Sequence, residues 1–296
     1  MNLRSVAEQA FLLWLLFPAI AVPVCLVAAR RGHGGFVERL IPWFVIIPTA
    51  LGASYAGRWP FFCLVLGCGL VSCWELARLG DAGSAPAPSR VATALVTAVP
   101  SIAWAQMDPT GMVMTVVAVL FTAAGAPFLW MARATAVRWS PLLLGLSLGG
   151  ALSFWIRLQQ LPLGFRWVLF AFSIVALNDI VAFATGRILG GPRPFLRLSP
   201  KKTVTGYSGG ALAGVSVSFG LSFAAPEFGI VELAMAGLVV VVCASAGDLF
   251  ASAVKRRHGT KDFGSLLGAH GGMLDRLDSM LGAGWVFYLG LLLLLR

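Results

Sequence analysis

Apolar runs of about twenty residues recur along this chain, and short loops between them hold most of its charge. Few folds are compatible with that pattern. A run of this length matches the bilayer core, since a spanning helix needs about 20 apolar residues, with a range of about 17–25. Lipid offers the backbone no hydrogen-bond partners, so such segments must be helical and must bundle. Candidate spans are 10–29, 41–57, 59–77, 91–107, 111–131, 141–156, 166–186, 207–225, 230–253 and 279–295. The expected fold is all-α, a polytopic integral membrane helical bundle of roughly 9–10 transmembrane helices. Composition excludes the soluble alternative: 58% of residues are hydrophobic and only 11% charged, against about 25% charged in soluble domains. The first apolar run lacks a small-residue cleavage site and a strongly basic start, so it reads as a retained helix rather than a cleaved leader.

The net charge of +10 would suggest nucleic acid in a soluble protein. Here the basic residues sit between apolar segments, where the positive-inside rule accounts for them, and nucleic acid is not an expected partner. With the N-terminus outside, the alternation of spans leaves Arg4, Arg58, Arg157, Arg166 and Arg296 on the outer side and puts all other basic residues on the cytoplasmic side. Both strongly charged loops, 187–206 and 255–278, then face the cytoplasm. The five cysteines lie in apolar segments without CxxC pairing and read as small core residues. Residues 80–90 form a Gly/Ala/Pro/Ser loop. The expected organisation is one continuous membrane domain, with an N-terminal helical region (1–165) and a C-terminal catalytic region (166–296).

The C-terminal region holds the chemistry. Asp275 and Asp278 are three residues apart and so share one helical face. Two such carboxylates can hold a hard cation beside substrate phosphates, or can simply favour a helix start through its dipole. His270-Gly271-Gly272 precedes them; the glycines permit a turn that side chains would block and that can present N–H groups to an anion. Asp248, Ser252 and Lys255 recur at four- and three-residue steps and line one stripe. An acid within an apolar helix is a functional candidate by default. Asp179, beside Asn178, is a second such acid, and each could instead make an interhelical polar contact. Together they suggest a shared polar cavity. Ser199-Pro200-Lys201-Lys202-Thr203 places two cations and two hydroxyls in a turn, suited either to phosphate or to anionic headgroups. Glu75, at the end of the third span, reads as a helix-end residue. His258, among basic residues, reads as solvated, and His33 as a loop residue without a role.

Ser252-x-x-Lys255-Arg256, then Lys261-Asp262, then His270-Gly271-Gly272-x-x-Asp275-Arg276-x-Asp278 resembles the signature of phosphatidate cytidylyltransferases, the CDP-diacylglycerol synthases. Asp179-x-x-Ala182-Phe183-x-x-Gly186 is similar to the family's Asp-x-x-Ala-Tyr-x-x-Gly segment, with Phe for Tyr. Ser199-Pro200-Lys201-Lys202-Thr203-x-x-Gly206 is similar to its Ser-Pro-(Lys or Gly)-Lys-Thr-x-x-Gly loop, with Thr205 where many members carry Glu or Gln. The likeness is strong over roughly residues 170–280 and only hydropathic before that.

The resemblance implies synthesis of CDP-diacylglycerol and pyrophosphate from CTP and phosphatidate with Mg²⁺, in a bacterial inner membrane with the active site at its cytoplasmic face. It implies Asp248, Asp275 and Asp278 as metal ligands, with a monovalent cation such as K⁺ a candidate to share the centre. Lys255, Arg256, Lys261 and Arg276 are then expected to hold phosphates. Ser199, Lys201, Lys202 and Thr203 would hold nucleotide or lipid phosphate. Ser252, Asp262, His270, Gly271, Gly272 and Asp179 complete the expected substrate site, and a homodimer is the assembly the resemblance suggests. Two rival readings are a cytidylyltransferase for another lipid phosphate and an anionic-lipid or phosphate transporter. The absence of an inverted repeat and the gathering of polar groups at one face weigh against transport.

Overall fold

The computed structural model describes residues 5–11, 36–79, 88–107, 141–266 and 271–294. Among these residues all regular structure is helical. The principal helices are α1 (Phe36–Ala56), α2 (Arg58–Ala77), α3 (Pro88–Met107), α4 (Pro141–Gln160), α5 (Gly164–Leu189), α6 (Val204–Gly220), α7 (Ile230–Arg257) and α8 (Leu274–Leu294). The expected span 111–131, and 10–29 beyond its first two residues, lie outside the described residues; each remaining expected span coincides with one of these helices. Four of them, α2, α5, α7 and α8, are long and apolar enough to cross a bilayer, as expected of a polytopic membrane protein.

Boundaries shift by a few residues, and the end of α6 is one place where they do. The span expected over 207–225 ends as an α-helix at Gly220, and a 3-10 turn, Ser222–Ala224, follows. Pro226 prevents any helix from running through this stretch, since it cannot continue one and biases the residue before it away from helical geometry.

The chain divides into two compact units, Met1–Pro60 with Gln159–Val241 and Phe61–Leu158 with Val242–Arg296. In the first, α5 and α6 approach along glycines. A side chain at Gly206, Gly209 or Gly210 would come within 3.0 Å of Ala182, Thr185 or Asn178. Lipid tails are as apolar as leucine, so helices in membranes associate through such close contact rather than by expelling water. Gly186 and Ala182, picked out by motif, therefore supply the other half of this seam. At the end of α1, Ser54 donates to Gln159 (2.5 Å), whose Nε2 donates back to the Ser54 carbonyl (2.8 Å). Arg166, expected at the outer edge of its span, lies buried in the first turn of α5. It pairs with Glu227 and lies over the Trp167 ring, because a buried guanidinium needs an acid and a π face. Arg157 is likewise buried within α4 rather than in a loop.

In the second unit, α3 meets α4 where Gly149 faces Ala98 and Ser101, and Gly69 of α2 meets Ile102 and Leu152. Trp155 of α4 donates its indole N–H to the Met280 carbonyl (3.1 Å), and Gly284 leaves room for its ring. Helices α7 and α8 also cross closely. A side chain at Gly247 would strike the Asp278 carbonyl and Gly282, and one at Gly282 would strike the Cys243 carbonyl. That glycine contact brings the part of α7 that carries Asp248 against the start of α8. The described cysteines, Cys63, Cys68, Cys73 and Cys243, are free thiols.

Candidate active site

Among the described residues of the second unit, a polar cluster lies where α7 ends and α8 begins. At 28 residues and about 1.5 Å per residue, α7 outruns a hydrocarbon core of about 30 Å, so its basic last turn has length enough to clear it. The helix stops in a Schellman arrangement. Thr260 N–H reaches back to the Lys255 carbonyl (3.0 Å) and Gly259 N–H to that of Arg256 (3.1 Å). Gly259 sits at φ +70°, which glycine adopts without cost.

Lys255 is the centre of the cluster. Its side chain is buried, and its ammonium lies 2.8 Å from Asp275 Oδ1 and 3.7 Å from Asp278 Oδ2. It also lies 5.0 Å from the centre of the Phe263 ring. Asp248 is the third carboxylate in electrostatic reach of that ammonium, and Ser252 Oγ stands 3.5 Å from Asp248 Oδ1, at the outer edge of hydrogen bonding. The stripe Asp248, Ser252, Lys255 and the shared face of Asp275 and Asp278 are thus brought together around one cation.

The remaining oxygens are not idle. Asp275 Oδ2 accepts from Phe263 N–H (2.9 Å) and Gly272 N–H (2.8 Å). With Lys255 on Oδ1, three protein donors hold this carboxylate. Asp278 Oδ1 accepts from Ser279 N–H (2.9 Å). Gly271 stands at φ +80°, and a side chain on it would meet the Asp275 carboxylate. The expected glycine turn is present, but the N–H of Gly272 faces Asp275 instead of open space. The next two, of Met273 and Leu274, donate to Glu75 at 2.8 and 2.9 Å. Glu75 is therefore more than a helix-end residue: it is buried and bonded to residues almost two hundred positions away.

Around this centre the other motif residues are less enclosed. Arg256 is exposed and donates to the Thr260 carbonyl (3.1 Å). Lys261 and Asp262 are exposed and 3.7 Å apart, a surface pair of small energetic weight. Arg276 is half-buried, and among the described residues its Nε is buried without a hydrogen-bond partner. His270 lies outside the described residues.

The first unit holds the other motifs. Thr203 is buried and is the N-cap of α6, its hydroxyl accepting from Gly206 N–H (3.1 Å) and lying 3.0 Å from the Thr205 hydroxyl. Thr205 in turn donates to the Gly190 carbonyl. The motif's threonine and glycine thus form a helix cap, and Thr203 has little surface to offer a ligand. Ser199 is half-buried, Lys201 is exposed, and Lys202 lies 5.4 Å from the Tyr207 ring centre. Asp179 is half-buried on α5 and accepts from Asn178 Nδ2 (3.1 Å), the interhelical stretch where Asn178 also faces Gly210.

Known sequences point the same way. A sequence model described as the cytidylyltransferase family matches residues 37–294. A Brucella abortus protein named phosphatidate cytidylyltransferase is 37% identical over 196 residues, covering 63% of this chain and 71% of its own length. One from Pseudomonas aeruginosa with that name is 33% identical over 260 residues, covering 84% of this chain and 94% of its own. One from Aquifex aeolicus is 40% identical over 122 residues, 41% of this chain and 45% of its own. With a match over most of its length, this chain belongs to the cytidylyltransferase family.

Proposed function

We propose that the protein is a phosphatidate cytidylyltransferase, a membrane nucleotidyltransferase that makes CDP-diacylglycerol and pyrophosphate from CTP and phosphatidate for phospholipid biosynthesis. A phosphate oxygen of phosphatidate attacks the α-phosphorus of CTP. The bond from that phosphorus to the oxygen bridging to the β-phosphate breaks, and pyrophosphate leaves with the electron pair. Both reactants are polyanions, so catalysis of this kind is chiefly positioning and charge stabilisation.

The carrying observation is the buried Lys255 ammonium among Asp248, Asp275 and Asp278, in a chain of this family. Lys255, Arg256, Lys261 and Arg276 supply cationic donors for phosphate. The buried Nε of Arg276 favours this, since a buried donor is costly until an acceptor arrives. In the first unit, Ser199, Lys201 and Lys202 supply a phosphate-binding turn of their own, which the Thr203 cap holds in shape. Ser252, Asp262, His270, Gly271, Gly272 and Asp179 are assigned to positioning substrate or the residues that hold it.

The donor chemistry fits a hard cation: Asp275 and Asp278 flank one ammonium, Asp248 lies within its electrostatic reach, and the ammonium stands in for the ion. Among the described residues no three His, Cys, Asp or Glu side chains gather closely enough to hold a metal as they stand, so occupancy requires Lys255 to yield its place. Mg²⁺ held by Asp248, Asp275 and Asp278 would neutralise triphosphate charge, and K⁺ is a candidate to share the carboxylates. The basic end of α7 supports placing this site at the cytoplasmic face of a bacterial inner membrane. A homodimer is proposed on family resemblance alone.

The test uses labelled CTP and phosphatidate with the purified protein. Label in the α-phosphate is expected in the lipid fraction and label in the γ-phosphate in pyrophosphate. Transfer of γ-label to lipid would mean a kinase instead and would overturn the proposal.

A further inference from the structure

Glu75 belongs to no part of the family signature, yet both of its carboxylate oxygens are engaged by backbone donors. Its side chain leaves α2 near that helix's end and is buried. Oε1 accepts from Met273 N–H and Oε2 from Leu274 N–H. These are among the free donors of the first turn of α8, where the helix dipole also favours a negative charge. Two glycines shape the socket. A side chain at Gly264 or Gly272 would come within 3.0 Å of the Glu75 carboxylate. Neither glycine has a left-handed φ, so space and not backbone conformation requires them.

The consequence lies one turn further on. The turn that Glu75 grips carries Asp275, Arg276 and Asp278. Asp275 closes the same loop from inside, by accepting from Phe263 and Gly272. Two carboxylates therefore hold the entry to α8: Asp275 through Phe263 and Gly272, and Glu75, from α2, through Met273 and Leu274. The ammonium of Lys255, on α7, meets Asp275 and Asp278 only if α8 starts at this height and angle. We propose that Glu75 is a positioning residue for the transfer reaction. It does not touch substrate; it fixes the first turn of α8, and with it the Asp275–Asp278 pair, against Lys255. This rests on the reading of that pair as the phosphate- and metal-handling site.

The geometry says why glutamate is needed. Glutamine has the same size but presents one acceptor and one NH₂ group to two N–H donors, so one contact becomes a donor–donor clash. Misplacement of reacting groups by about 1 Å can cost about 100-fold in rate. In Glu75→Gln the turnover number is expected to fall about tenfold or more, the Mg²⁺ concentration for half-maximal rate to rise, and KM for phosphatidate to hold steady. Gly264→Ala, which leaves Glu75 in place but crowds its carboxylate, is expected to show the same split. If Glu75→Gln does not fold, Gly264→Ala carries the test.

A readout independent of turnover is trypsin cleavage after Lys261, which is exposed on the gripped loop. Both variants should be cut faster than the parent in folded, monodisperse protein. Unchanged turnover and Mg²⁺ dependence in both variants would overturn the proposal. So would a loss of thermal stability with turnover per folded molecule intact. A parent protein that makes no CDP-lipid would sink the assigned reaction, while the cleavage comparison would still decide whether Glu75 holds the turn.

Discussion

The ammonium of Lys255 stands 2.8 Å from Asp275 and 3.7 Å from Asp278, on side chains that are about nine-tenths buried. A buried charge of either sign is expensive alone, and each here is tolerated because the other is present. In the proposed reaction this pairing would also hold a cation where a triphosphate needs one.

Replacing Lys255 by methionine leaves the surrounding carboxylates without their cation. Breaking one side of a buried pair costs about 3–5 kcal/mol. Lys255→Met should therefore lower the unfolding temperature markedly in a detergent melt, as well as remove activity. Lys255→Arg should recover stability better than turnover, because a guanidinium keeps the charge but not the point-like fit between two acids.

Asp278→Asn removes a charge and keeps the shape. Turnover at saturating Mg²⁺ is expected to fall by about 100-fold or more, the scale of losing one electrostatic stabiliser, while the protein still inserts into membranes. Near-normal turnover would exclude Asp278 from handling the metal.

At the crossing of α7 and α8, Gly282→Ala would drive a methyl group into the Cys243 carbonyl. Overpacking of this kind costs about 1–3 kcal/mol. The helices should separate enough to weaken the contribution of Asp248, so activity should fall with Mg²⁺ affinity reduced. Gly290→Ala, on the same helix with open space around it, should leave both unchanged.

Thr203→Val keeps size and removes the cap of α6, costing about 1 kcal/mol. Thr203→Ser should restore it. A melt of both variants checks this, and Thr203→Val should lower phosphate-dependent binding only as far as it loosens the Ser199–Lys202 turn.

Much of this was readable from local pattern. Spans follow from hydropathy, so α1 to α8 fall near where apolar runs predict, and residues three or four apart share a face, which aligns Asp275 with Asp278 and Asp248 with Ser252 and Lys255 but does not join the two sets. What pattern cannot supply is contact across the chain. Glu75 meets Met273 and Leu274 over 198 and 199 residues, and nothing near Glu75 announces it. The available signal was an acid at a helix end in one segment and glycines before a helix start in another. Hydropathy ends one span at 156 and starts the next at 166, which leaves Arg157 outside and Arg166 at an edge; α4 runs on to Gln160 and α5 starts at Gly164, and both arginines are buried. Thr203 read as a phosphate donor because a hydroxyl beside two lysines suits that chemistry equally well. Only the path of the chain into α6 reveals the cap.

The most direct measurement is pyrophosphate release by the purified, detergent-solubilised protein given CTP, phosphatidate and Mg²⁺, with each omitted in turn. The proposed reaction predicts release only when all three are present, matched by one CDP-lipid formed per pyrophosphate. Release without phosphatidate, or none from folded protein with all three supplied, would contradict it.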